Sequence, residues 1–262
     1  MDAQVLAALA RWPNVPAAYG WLSLSRRGHW LLHPHGQAWG GATDEPGEAI
    51  SNAQIIAFIQ RNYLADAHGG WFFQNGPQRV YVRLDGAPWV LTTHISPHGQ
   101  LQLRTHTGEP YGPVTYWWLD TDGNLYTQAA QGAGLISDRD LAQVIDALVC
   151  EDGTPLIRHL EDGSLGPDTA PHGAAKPDTA ESGVATHGTT KSGLTAYGVS
   201  PHARPAVRSL AVMLPDAPAA SSSDAAVPLA LIEPGRIEAV LGFVRRPSAT
   251  PGTPVRTPEK SV

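Results

Sequence analysis

"WFFQNGPQRVYV", residues 71–82, places four aromatic rings, an Asn-Gly pair and a proline in twelve positions. Asn75-Gly76 is the expected two-residue turn of a β-hairpin, because both central positions of a type I′ turn need φ > 0. Pro77 has no N–H for a ladder and belongs at a strand start or on an edge. Beyond it Val80, Val82 and Leu84 project one way and Arg79, Tyr81 and Arg83 the other, the mark of a strand with one buried face. Trp71, Phe72 and Phe73 supply core bulk. The stretch is scaffold first. Its polar side, Gln74, Arg79, Tyr81 and Arg83, is the candidate binding surface for an anion or a partner, set against the plainer reading of a solvated strand face.

Working outward, "AQVLAALAR" (3–11) has helical recurrence and should stop before Pro13. "YGWLSLSRRGHWLLH" predicts strand, Arg-Arg-Gly turn, strand. A Gly-rich loop leads to "ISNAQIIAFIQRNYL", where Ser51 or Asn52 can cap a helix whose Ile55, Ile56, Ile59 and Tyr63 share a face. "PWVLTTHI", "QLQLRTHT" and "TYWWLDTDGNLYTQ" predict further strands, and "ISDRDLAQVIDALV" a helix capped by Ser137 or Asp138. The expected class is α+β, an antiparallel sheet with helices packed on one side.

An internal echo runs through this order. "YGWL" (19–22) and "YWWL" (116–119) are each followed by a turn, a strand and then "ISNAQIIAFI" or "ISDRDLAQVI". A duplicated strand–strand–helix unit explains the echo; so does the general likeness of hairpins and capped helices.

Aromatic residues place the domain boundary. Seventeen of the nineteen Phe, Trp and Tyr residues lie at or before Tyr126. The expected body is therefore 1–160. Residues 161–226 turn to Ala, Gly, Pro, Ser, Thr and Asp, with "PDTA" at 167–170 and again at 177–180. Such a segment buries too little apolar surface to offset its ordering entropy and predicts a disordered linker. In 227–247 two apolar runs flank Pro234-Gly235, a pair suited to a type II turn. The expected hairpin either returns to the body or docks on a partner, and 248–262 is a disordered tail.

Composition excludes several classes. A net charge of -6 gives no overall attraction to nucleic acid or anionic lipid. No run approaches the roughly 20 apolar residues of a membrane span, and the start lacks the positive region of a signal peptide. A cytoplasmic location is expected. One cysteine, Cys150, allows no internal disulfide and reads as an inert, buried thiol.

Candidate chemistry is sparse. His33 and His35 share a strand face, and His94 and His98 could join them from a neighbouring loop. A zinc site needs three or four convergent ligands, however, and no carboxylate falls at a suitable spacing. "LDTDGNLY" (119–126) departs from a calcium loop, with Gln131 where a bidentate glutamate belongs. No G-x-S-x-G elbow, phosphate loop or dinucleotide fingerprint is present. Neither metal nor cofactor is expected.

By "RWPNVPAAYGWL", "FIQRNY" and "WFFQNGPQRVYV" the chain resembles a family of uncharacterised proteobacterial proteins classed as a domain of unknown function. The likeness covers roughly residues 5–150. It implies no activity, cofactor or catalytic residue. Three functions are expected in turn: a non-enzymatic module binding a protein or small-molecule partner through the Arg79–Arg83 strand; a His-dependent or metal hydrolase using His33, His35 and His94; and a ligand-responsive regulator whose linker holds the C-terminal hairpin near the body.

Overall fold

The computed structural model describes residues 1–39, 46–97, 99, 101–150, 153–162, 210–211 and 227–248. Most of the expected linker (161–226), nearly all of the tail (248–262) and His98 lie outside them.

Helix α1 (Ala3–Arg11) precedes strands β1 (Ala18–Leu24), β2 (Trp30–Leu32) and β3 (Glu48–Ala49). Helix α2 (Ala53–Arg61) follows, then β4 (Tyr63–Ala65), β5 (Trp71–Asn75) and β6 (Gln78–Leu84). These strands form one sheet in the order β3-β2-β1-β6-β5-β4. The second half holds β7 (Trp89–Ile95), β8 (Leu101–Thr105), β9 (Tyr116–Asp120), β10 (Leu125–Ala129), β11 (Gly132–Ile136), α3 (Leu141–Ala147), β12 (Val149–Cys150) and α4 (Leu156–Glu161). It closes with β13 (Leu210–Ala211), β14 (Leu229–Ile232), a 3-10 turn (Pro234–Arg236) and α5 (Ile237–Leu241). Its sheet runs β14-β9-β10-β11-β7-β8, while β12 and β13 pair separately.

The α+β class holds, but the expected single antiparallel sheet is two mixed sheets. β1 pairs β6 in parallel, as do β11 with β7 and β14 with β9. A parallel pair needs a long crossover between its strands, so its partners are distant in sequence and leave no local turn signal.

The echo has a topological counterpart. In each sheet a three-strand antiparallel meander (β1-β2-β3, β9-β10-β11) is followed by a helix (α2, α3), and the meander's first strand accepts a later parallel strand (β6, β14).

The sheets share a core. Leu24, Trp30, Tyr63, Trp71, Val82 and Leu84 of the first pack with Val90, Trp118, Tyr126, Leu135 and Ile232 of the second. The second sheet's other face, with Leu91, Trp117, Leu125, Ile136 and Leu229, packs with Val144 of α3, with Leu148 at the end of that helix and with Leu156 of α4. Trp117 and Trp118 thus enter different cores, as the period of two in a strand demands.

Local expectations fare unevenly. The β5–β6 loop is Gly76-Pro77, flanked by the pair Asn75–Gln78, so the turn sits one residue later than Asn75-Gly76. Gly76 has φ +57° and the proline ring holds φ near −65°, the sign pattern of a type II′ turn. Pro77 has no N–H to donate, and the turn takes it. Asn52 caps α2 as expected, its Oδ1 accepting from the N–H groups of Gln54 and Ile55 at 2.9 and 3.2 Å. Helix α3 begins at Leu141, beyond Ser137 and Asp138, and neither caps it with a side chain.

Residues 227–247 form a strand, a 3-10 turn and a helix where a hairpin was expected. Pro234 stands at the first 3-10 position instead of turning a hairpin. β14 continues the second sheet beside β9, Val244 donates to Gly69 O at 2.9 Å, and Arg245 Nε donates to Gly86 O at 3.1 Å.

Candidate functional site

The polar side of β6 is covered. Gln74 is 1% exposed and its Nε2 donates to Gly76 O at 2.9 Å. Tyr81 is buried, stacks on Tyr19 with ring centroids 4.7 Å apart, and donates its hydroxyl to Asp66 Oδ2 at 2.8 Å. Arg83 is buried too; its Nη1 donates to Ala38 O at 2.7 Å and its Nε to Asp85 Oδ1 at 2.8 Å. Arg79 alone of the four is exposed, with its guanidinium 4.7 Å from the Phe72 ring centroid. The solvent-facing surface expected from alternation is instead roofed by Tyr19 and the turn ending at Ala38, elements that no pattern within β6 could announce.

The histidines do not converge. His33 is buried, with Nε2 2.8 Å from Ser23 Oγ. His35 lies exposed in the turn beyond β2, and His94 is exposed on β7 of the other sheet. Among the described residues no group of three or more His, Cys, Asp or Glu side chains is placed to hold a metal ion.

His106 is enclosed by aromatic rings. Trp30, Tyr63 and Trp89 stand 5.5, 6.0 and 5.7 Å from its ring. Burial pushes its pKa down to about 3. It is a neutral, partly exposed imidazole whose ring packs between aromatic side chains of the two sheets.

The motifs that carry the resemblance also build the scaffold. In "FIQRNY", Asn62 Oδ1 accepts from Asp2 N–H at 2.8 Å and Arg61 meets Asp2 at 3.1 Å, tying α1 to the end of α2. Tyr63 donates to Pro88 O at 3.2 Å, linking the first sheet to the entry of β7.

A large concavity lies elsewhere, between α2 and the first sheet, with a volume of about 1270 Å³. Its walls come from β1, β2, β3, α2, β5, β6 and the turns beside them; no residue of the second sheet lines it. Eleven of its sixteen lining residues are apolar. Three are alanines, Ala17, Ala18 and Ala49, whose small side chains leave the space open. Ile55 of α2 lines it while 49% exposed, and Leu32 while 41% exposed. Polar groups gather at two places, Glu48, Ser51 and Asn52 at the β3–α2 junction and Asn75 and Gln78 beside the β5–β6 turn.

Backbone irregularity shapes this wall. The β1–β6 register shifts between Ala18 and Leu22. Gly20, within the shift, has φ +83°, and a Cβ there would stand 2.2 Å from Gly36 O. In a regular strand Trp21 and Leu22 would face opposite ways; with the shift both line the groove.

A smaller, polar cleft of about 450 Å³ opens where the halves meet, lined by Arg26, Arg27, His29, Asp85, Asn124 and Asp138 among others. Its arginines are already engaged, Arg26 with Asn124 and Arg27 with Asp138.

Sequence reasoning missed the groove. It grouped Ile55 with Ile56, Ile59 and Tyr63 on one face of α2, with nothing to show that Ile55 is left uncovered, and the alanines carried no signal.

Fold and site define a mixed α+β domain of two six-stranded sheets with an apolar groove beside its second helix. Residues 1–248 match the family DUF2944, described as "Protein of unknown function (DUF2946)", and the chain belongs to that family. No curated protein matches the sequence. Among solved structures, the chain is similar to a DUF1285 family protein from Silicibacter pomeroyi DSS-3. That likeness has 16% identity and a TM-score of 0.40, covering 62% of this chain and 99% of the other. A second DUF1285 family protein, from Shewanella baltica OS155, gives 18% identity and a TM-score of 0.31 over 48% and 87% of the two chains. No helix among the described residues is long and apolar enough to cross a membrane.

Proposed function

We propose that this domain is a non-enzymatic binding module that takes a small ligand with a large apolar body into the groove beside α2. The observation that carries the reading is the groove itself: about 1270 Å³, mostly apolar, with polar groups at two edges. Ligand pockets are mainly hydrophobic with a few placed polar groups and span roughly 300–1,000 Å³. The present volume lies above that range and leaves room for a ligand with a large apolar body. Ile55 and Leu32 support the reading further, because exposed aliphatic side chains lining a concavity lose contact with water when a ligand covers them.

Trp21 reports on the site, since it lines the groove. The neutral fluorophore N-phenyl-1-naphthylamine should bind saturably, at one molecule per chain, with energy transfer from tryptophan. Ala18→Phe, which fills the groove, should abolish that binding and leave the melting temperature within a few degrees. Absence of saturable binding to the wild-type chain overturns the reading.

A further inference from the structure

We infer that the ligand of the α2 groove carries a cationic, ammonium-type head, received by Glu48. The inference rests on the groove reading above and names the ligand class. Among the described residues that line the groove one is ionisable, Glu48, and these residues include no lysine, arginine or histidine. The described residues give the Glu48 side chain neither an ion pair nor a hydrogen bond.

Charge decides between ligand classes here. A carboxylate, phosphate or sulfate head would meet a like charge with no cation in the lining to offset it. An ammonium head meets an unpaired carboxylate. Trp21, in the same lining, offers an aromatic face that also favours a cation over an anion. Ser51, beside Glu48 along the chain, adds a hydroxyl acceptor for an N–H. The Asn52 side-chain oxygen is already occupied as the α2 cap, which leaves Glu48 and Ser51 as the side-chain acceptors at that junction. The apolar body of the ligand then runs along Ile55, Leu22 and Val80.

Three amphiphiles of equal chain length separate the head from the body: decylamine, decanol and decanoate. Each is titrated against the groove-bound N-phenyl-1-naphthylamine at neutral pH and low salt, below its micelle-forming concentration. Glu48 is exposed, and exposed ion pairs are modest, so decylamine should displace the probe at about fivefold lower concentration than decanoate, with decanol between. Added salt should narrow the gap, since it screens an exposed pair. Glu48→Gln should erase the preference and Glu48→Lys should reverse it, each read as the ratio of decylamine to decanoate potency within that variant. Equal potency, preference for decanoate, failure of decylamine to displace the probe, or a preference that survives Glu48→Gln would overturn the head-group inference. Failure of the probe itself to bind would instead overturn the groove reading, so the two are judged separately.

Discussion

The Tyr81 hydroxyl donates to Asp66 Oδ2 across 2.8 Å, and the same carboxylate accepts from the backbone N–H groups of His68 and Gly70 at 2.8 and 2.9 Å. A side chain expected to face solvent is thereby tied to the turn that opens β5. Burial raises the Asp66 pKa, but the bonds from Tyr81, His68 and Gly70 outweigh it and leave the carboxyl below its ordinary value of 3.8. Burial first, and then Asp66 as acceptor and neighbouring charge, push the Tyr81 phenol up to about 12.

From this pair a coupling of about 1 kcal/mol is expected in a double-mutant cycle of Tyr81→Phe and Asp66→Asn, read by urea unfolding. The pH signs follow from the shifts. The Asp66 contribution is present above the unfolded carboxylate value and is lost as pH falls through the lower folded value. The Tyr81 contribution is present below about pH 10 and is lost as pH rises towards 12. Additive single-mutant effects would refute the coupling.

Arg83 and Arg27 both pair with aspartate but sit in opposite surroundings. The Arg83 side chain is 6% exposed, whereas that of Arg27 is 59% exposed. Arg83→Ala leaves the Ala38 carbonyl and Asp85 without their donor and should destabilise by about 3 kcal/mol. Arg83→Lys should recover little, because one ammonium cannot reproduce a guanidinium fork. Arg27→Ala should leave the denaturation midpoint unchanged. Equal effects at the two arginines would contradict the burial argument.

His106 predicts acid sensitivity. The Val90 N–H donates to its Nδ1 at 3.4 Å, which assigns the proton to Nε2, and Nε2 has no hydrogen-bond partner among the described residues. Its folded pKa of about 3 lies below the ordinary 6.5. The unfolded chain therefore takes up a proton that the folded one refuses, and stability present above about pH 6.5 is lost progressively as pH falls towards 3. Melting temperatures between neutral pH and about pH 4 should fall more steeply for wild type than for His106→Phe. Parallel curves would rule the residue out as a source.

Ile59 and Ile55 separate stability from binding on one helix. Ile59 is 2% exposed and Ile55 49%. Ile59→Ala should cost about 2–4 kcal/mol of unfolding free energy. Ile55→Ala should change stability by under about 0.5 kcal/mol and weaken probe binding. A large stability loss at Ile55 would show that it packs as core.

The C-terminal segment is the last strand of the second sheet, with Ile237 fully buried in the shared core. A specific protease sequence inserted between residues 170 and 200, once cut, should yield two fragments that co-elute on size exclusion and part only in denaturant. Separation under native conditions would contradict the β14–β9 pairing.

Much of the local architecture was legible. Helix α1, the Asn52 cap of α2 and the β1–β2 turn all follow from side chains within a few residues of one another. Strands β3 and β4 were not, because runs of two and three residues cannot show a period. The binding surface was misplaced for a different reason. Alternation along β6 correctly sorted Val80, Val82 and Leu84 from Arg79, Tyr81 and Arg83. Which side meets water depends on Tyr19, Ala38 and Asp66, set by the return of distant chain.

The sequence by itself determined the α+β character, the Asn52 cap of α2 and the concentration of aromatic bulk in the first half, because propensity, capping and periodicity are short-range properties. Tertiary structure decided the parallel pairings, the covering of the β6 polar side, and the groove that Ile55 and the small alanines leave open. Those outcomes depend on which strands and helices come together across tens of residues, and the area each covers belongs to the pair, not to either segment alone.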